Sequence, residues 1–586
     1  MADPRANAIV VFSADNYNTT RERLMGRQSA TEGFLRALVR HGGLDEFWCY
    51  CLRREDLDIF RQRVAEFAGG PRLAQAVATM DMNAWSKVGT MYRPGPNIGH
   101  FAWLRRGFDQ RAFSICGVTH TTAEHVVMDG IAESVLGPVQ PWDALVCTSP
   151  QVRAMVRHMV DQFADYLMSR FGGKTAPTLE LPLIPLGVEC DRFDSTTQAA
   201  QRARSQMRKQ LGIGEQDIAY LFVGRLTHIE KANPLAMYLA LEKASKRTKR
   251  KLHLIHAGWF ASDDIERVFK TAAPKFAPSI THHWLDGRKP EIRNNVWFAG
   301  DVFTSLSDNI QETFGLTPIE GMAAGLPCVV SDWDGYRYTV RDGLDGMALP
   351  SFMPPPGDGR EIAFRYATGM DGYGRYCIAS AQSIAIDVEG CAEAYAKLAD
   401  DAALRRKLGE SGRKHARQMF DWSVVMGSYQ KLWAEMAAKR AQVEESVKVA
   451  EGRPTRPLRD DPFVLFESYP TALIDGATIV EPMAGASATQ INVLKSSPLA
   501  NMMPGLLLDN DGLARLMAHV GKTKSTTVST LVEEFGVTGD MLRRSVGWLA
   551  KNDLIRLKVP AAKPTAKQAA PAAQKPAAKA PVKARR

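Results

Sequence analysis

QETFGLTPIEGMAAGLPCVV, residues 311–330, decides how the rest of the chain is read. Thr317 has the chemistry of a helix N-cap, Pro318 suits the first helical position, and Glu320 falls where a capping-box carboxylate belongs. Gly325 predicts the helix end, and Leu326-Pro327 leads into the apolar run CVVSD (328–332). A helix N-terminus behind a Phe314-Gly315 turn presents free N–H groups and the positive end of the helix dipole, which suits an anion such as phosphate. Glu320 alone reads as a cap. Glu312, just before the same turn, adds a second carboxylate, and the pair suits hydroxyls held on either side of a phosphate. On these residues alone both readings stand.

Outward from that segment, short apolar runs alternate with helical patterns. AIVVFS (8–13), FSICGVT (113–119), ALVCTS (144–149), AYLFVG (219–224), LHLIHA (252–257) and CVVSD (328–332) are near-continuous apolar runs, as in parallel strands covered on both faces. Helical patterns lie at 31–41, 151–170 and 234–250. The alternation predicts an α/β chain of doubly wound sheets, with ligands at the carboxyl ends of the strands. A break at 189–211 separates two such domains, 1–195 and 196–440. Residues 350–386, rich in Pro, Gly and Tyr, read as an inserted loop. Residues 441–505 read as a linker, 506–559 as a small helical unit, and 560–586 as an Ala/Pro/Lys tail that cannot form a core.

The 586 residues are 45% apolar and 24% charged, which excludes wholesale disorder and fibrous repeats. Of the net charge of +10, seven units lie beyond Val559 with no acid among them, so the body carries only +3. The basic character describes a tail. No apolar run approaches the ~20 residues of a membrane span, and the N-terminus lacks the charged, apolar and small succession of a secretory signal. A cytoplasmic location is expected, peripheral to the inner face of the membrane if the tail binds there. The eight cysteines are scattered. Cys49 and Cys51 form a lone C-x-C pair without zinc-finger spacing, so reduced thiols and no metal are expected. Asp56-Leu57-Asp58 reads as a solvated helix face.

The E-x7-E spacing of Glu312 and Glu320, the enclosed Phe314-Gly315 and the following GMAAGLPCVVSDWDG resemble the donor-site motif of GT-B glycosyltransferases of family 4. FVGRL (222–226) with Lys231, and IPLGV (184–188) with Arg192-Phe193, resemble further landmarks of that family in the same order. The resemblance covers about 8–440 and implies two Rossmann-like domains facing across a cleft. The first would take the acceptor and the second a nucleotide diphosphate-sugar, with a helix near 421–437 crossing back onto the first. It implies sugar transfer with retention of configuration and without a metal or other cofactor. Glu320 would bind the donor ribose and Glu312 the transferred sugar. The backbone of Gly315 and Leu316 would hold the diphosphate, with Gly224, Phe314 and Thr317 alongside, and Arg225 and Lys231 would neutralise it. His120 would reach the sugar from the first domain, and an early loop with Gly26 and Arg27 would lie under the phosphates. The sequence departs from the family in Lys231-Ala232, one residue later than the usual Lys-Gly, and in Tyr336-Arg337-Tyr338 after Asp334-Gly335. Asp332-Trp333-Asp334 also reads as the D-x-D of a metal-dependent class, which lacks the E-x7-E helix.

The segments 530–538, 541–550 and 554–557 read helix, turn, helix, strand. They resemble a small winged-helix domain with Arg543 and Arg544 on its second helix. DNA contact and a protein-interaction module are both open to it, and the tail suits anionic membrane, acidic protein or nucleic acid. The acceptor class (glycan, lipid-linked or small molecule) is open as well. The alternative to an enzyme is a catalytically inactive GT-B scaffold that binds or regulates through the winged helix and tail.

Overall fold

Six short strands build the first sheet: β1 (Ile9–Val11), β2 (Glu46–Tyr50), β3 (Leu73–Ala76), β4 (Thr90–Arg93), β5 (Ser114–Val118) and β6 (Ala144–Val146). The computed structural model describes residues 6–17, 26–173, 179–444, 449, 453–503 and 505–558. All pairings in this sheet are parallel, in the order β3-β2-β1-β4-β5-β6. The second sheet repeats that order with β7 (Ile218–Leu226), β8 (Leu252–Phe260), β9 (Thr281–Asp286), β10 (Val302–Ser305), β11 (Cys328–Ser331) and β12 (Gly346–Leu349). It too is parallel throughout. Both are doubly wound α/β sheets, each with a switch point between its first and fourth strands.

Both sheets belong to one compact unit, Met1–Arg456. The helix Trp422–Ala441 leaves the second sheet and buries Trp422, Val425, Tyr429, Trp433 and Met436 in the core of the first, against Phe34 and Tyr92. Phe34 and Tyr92 stack at 3.7 Å, and Tyr429 meets Phe34 edge-on. The second core lies under β7, β10 and β11 and takes in Phe314, Tyr336 and Phe420. Opposite the first core, the buried Arg105 guanidinium grips Asp143 through two 2.6 Å bonds, and Asp143 also accepts the Ile115 N–H at 2.9 Å. The eight cysteines are free thiols.

Four expectations change. The helix expected at 31–41 begins at Gly26, so the early glycine-bearing segment is a first helical turn and not a loop. Buried Gln28 ties that turn to the Asp15 carbonyl. Asp56 is no solvated face: it is buried, accepting the Ala14 N–H at 2.9 Å and two bonds from Arg53, while Asp58 remains exposed. The inserted loop is a helical hairpin, Arg360–Ala367 and Tyr373–Ala381. At its foot β13 (Ser351–Phe352) pairs antiparallel with β14 (Ala385–Ile386).

The second unit, Pro457–Arg586, takes part of what read as linker. β15 (Ile479–Pro482) is the middle strand of an antiparallel sheet with β16 (Thr526–Thr527) and β17 (Ile555–Lys558). Val480 and Ile491 join Leu513, Leu531, Leu542 and Leu549 in its core. Four-residue β15 with one buried side chain gives little periodic signal, so only the pairing reveals it. Arg544 bonds Asp540 and the Leu506 carbonyl within this unit. The tail from 559 lies outside the described residues.

Candidate functional site

The switch point of the second sheet lies between β7 and β10, where neighbouring chains leave in opposite directions and open a crevice. Arg225 stands near the carboxyl end of β7 and Lys231 on the loop after it; the loop after β10 carries Glu312 and leads through Gly315 into the helix Leu316–Ala323. The two loops are laced together. Asn309 Nδ2 donates to the Ile229 carbonyl (2.9 Å), Asp308 accepts the Asn233 N–H (3.1 Å), and Trp333 Nε1 donates to the Asn309 carbonyl (3.0 Å). Burial pushes the Asp308 carboxyl up to about 7.

The candidate clamp is internally neutralised. Arg225 Nη1 lies 2.6 Å from Glu230 Oε2, and Lys231 Nζ lies 3.2 Å from Glu312 Oε2. Burial raises the Glu312 carboxyl, but Lys231 and the N–H groups of Thr313 and Phe314 outweigh it and hold the carboxyl below its usual range. Each cation therefore has an anionic partner, which spares the half-buried charges from standing alone.

The turn is built differently from the sequence expectation. The helix starts at Leu316, so Gly315, at φ +83°, is its N-cap, and no side chain caps it. Thr317 is the second helical residue, and Glu320 lies beyond capping-box reach. A Cβ on Gly315 would sit 2.1 Å from the Tyr336 ring, which fills the space a side-chain cap would need. The Tyr336 hydroxyl bonds Ser305 Oγ at 2.8 Å. The first-turn N–H groups thus have no side-chain cap, the arrangement an anion site requires. Phe314 is buried in the core, leaving only its backbone for a ligand. Gly325, at φ +79°, ends the helix as expected: its N–H bonds the Met322 carbonyl and that of Leu326 the Gly321 carbonyl. Burial pushes the Glu320 carboxyl up to about 7 against the pull of Arg192.

From the first domain, His120 follows β5, partly buried at a strand end. Gly26 and Arg27 open the Gly26–His41 helix; the Arg27 side chain lies outside the described residues. Sequence reasoning missed Ser149, the N-cap of Pro150–Phe171, whose Oγ donates across to the Thr313 carbonyl at 3.1 Å with Asp334 Oδ1 at 3.5 Å. The Ser-Pro pair is itself a helix-start signal. Burial, then nearby Glu312, pushes the Asp334 carboxyl up to about 7. Asp332 instead pairs with Arg337 at 3.2 Å, so the two carboxylates of the D-x-D serve different partners.

Residues 203–353 match the family described as "Glycosyl transferases group 1". A D-inositol 3-phosphate glycosyltransferase of Geodermatophilus obscurus is 28% identical over 262 residues, 44% of this chain and 54% of that protein. Spore coat protein SA of Bacillus subtilis is 28% identical over 204 residues, 34% of this chain and 52% of its own. The chain thus spans about half the length of the curated relatives it matches. Among solved structures, Anabaena HepE in complex with UDP aligns over 73% of this chain and 99% of its own, at 11% identity and a TM-score of 0.47. The matched residues, 203–353, take in β7, the loops that follow β7 and β10, and the Gly315 turn.

Proposed function

We propose that the unit holding the two parallel sheets binds a nucleotide diphosphate-sugar in the crevice between β7 and β10 and transfers its sugar to an acceptor. One observation carries this: Arg225, Lys231 and the uncapped N-terminus of Leu316–Ala323 all issue from the two strands that flank one switch point. Two cations and a helix terminus at a developing diphosphate supply electrostatic stabilisation of the leaving group. The bond from the anomeric carbon to the β-phosphate oxygen breaks as the acceptor oxygen bonds to that carbon on the same face. The acceptor proton passes to the departing phosphate oxygen, so configuration is retained. Glu320 holds the ribose, and Glu312, released from Lys231, holds the sugar.

The testing experiment is a thermal-shift panel of UDP, GDP and ADP with their sugars, because a ligand above its Kd stabilises the native state. A rise for one nucleotide series, lost in Arg225→Ala, supports the reading. No shift with any of them refutes it. The step assigns no role to a metal ion, so transfer measured with EDTA is expected to retain most of its rate. Loss on chelation with rescue by Mn²⁺ or Mg²⁺ would move the site to Asp332 and Asp334.

A further inference from the structure

The 360–381 hairpin touches both halves of the crevice. On the clamp side, a Cβ on Gly374 would sit 3.3 Å from Ile229, and the Cys377 thiol lies within electrostatic reach of Glu230 and Arg225. On the opposite side, Tyr373 OH meets Thr121 Oγ1 at 3.4 Å, one residue after His120. The Tyr366 hydroxyl accepts the His125 N–H at 2.7 Å and lies 3.2 Å from His125 Nδ1, to which it can give its own proton. His125 opens the helix His125–Leu136, whose N-cap residue Glu124 makes no side-chain cap, so Tyr366 supplies that cap from the other domain.

The hairpin's two helices are not equally anchored. Tyr373–Ala381 buries Cys377 and Ala381, whereas Arg360–Ala367 buries no residue. The outer helix is held by Tyr366 stacked on Tyr376 at 4.2 Å, and by Arg365 bonded twice to Asp371 at 2.6 and 3.0 Å. An element with so little buried apolar surface sits at the low end of local stability. Its contact beyond the hairpin is that of Tyr366 with His125, and the group 1 match stops at 353, just before it.

We propose that this hairpin is a strap that positions the first domain over the clamp: Tyr366 and Tyr373 fix the 119–125 segment, with His120, against the 225–231 loop. Both tyrosines act as positioning residues, through Thr121 and His125.

The test uses the full-length chain with Tyr366→Phe, Tyr373→Phe and the pair, which keep the ring stacking and delete only hydroxyls. Amide hydrogen exchange is followed at 119–130, and nucleotide Kd and nucleotide-sugar hydrolysis are measured with whichever nucleotide the thermal panel selects. In the double variant the His125 amide is expected to exchange at least about tenfold faster while 374–381 is unchanged. Nucleotide Kd should stay within about threefold and turnover fall about tenfold, a split that general loosening of the donor site would not give. Unchanged exchange at His125, or faster exchange with native turnover, would overturn the strap. If the double variant fails to fold, Thr121→Val breaks the Tyr373 contact from the other side and is read the same way. The turnover arm rests on the transferase reading. Should no nucleotide bind even the native protein, that reading fails, and the exchange arm alone decides on the strap.

Discussion

Arg225 and Lys231 show how far side-chain identity alone carries a site. Arg225, after an apolar run and a glycine, reads in the sequence as a candidate phosphate-binding cation, but its pairing with Glu230, and that of Lys231 with Glu312, does not show there. Glu230 folds back on Arg225 across the turn that follows β7, whereas Lys231 and Glu312, on separate loops, meet only once β7 and β10 are neighbours. The cap assignment failed for a related reason. Thr317 has the right chemistry two residues too late, because the helix entry follows the left-handed Gly315 wedged against Tyr336, a contact that spacing does not encode. Arg225→Ala should lower turnover by about 10²–10³, the usual scale for one preorganised charge-stabilising group. Steady-state rates at saturating donor check it, and near-native turnover would remove Arg225 from the clamp. Glu320 adds a pH dependence. With its carboxyl pushed up to about 7 by burial, the ionised form, which the proposed reading has accepting ribose hydroxyls, gains population as pH rises through 7. Calorimetric affinity for the nucleotide should therefore improve from pH 6 to 8, and Glu320→Gln should flatten the profile.

At the scale of elements, the strands that were legible are those with long apolar runs. The run at 252–257 became β8 (Leu252–Phe260) and that at 328–332 became β11 (Cys328–Ser331). The central strand β10, VFTS, escaped because half its residues are polar. Their hydroxyls are satisfied inside, Thr304 by Tyr395 at 2.5 Å and Ser305 by Tyr336 at 2.8 Å. Edge strand β9, THHWLD, has no fully buried residue and so no apolar signature. The Arg105–Asp143 pair is likewise invisible in sequence, since 38 residues separate two groups that are both fully buried. Asp143→Ala would leave a buried guanidinium without its counter-charge and strip an acceptor from the β5 N–H of Ile115. It should cost about 3–5 kcal/mol, measured as a fall in urea midpoint with unchanged m-value. Asp143→Ala together with Arg105→Met should recover much of that loss.

For the whole molecule, the boundary lies later than composition implied. Arg456 bonds Glu133 at 2.7 Å, and Arg106 donates to the carbonyls of Pro454 and Thr455, so the chain returns to the first domain after the Trp422–Ala441 helix. A chain ended after Arg456 should remain monodisperse on gel filtration and keep the catalytic rate of the full-length protein. One ended at 445 should lose this clasp and melt a few degrees lower. If the longer truncation aggregates or is inert, the terminal unit is part of the catalytic body. The Trp422–Ala441 helix has a further consequence, for the order of events during synthesis. β6, the last strand of the first sheet, leaves the ribosome about 300 residues before Trp433 and Met436, which complete its core. At ~5–20 residues per second that is roughly 15–60 s. For that interval Phe34 and Tyr92 have no lid, and the nascent first domain stays a client for chaperones until the second has been made.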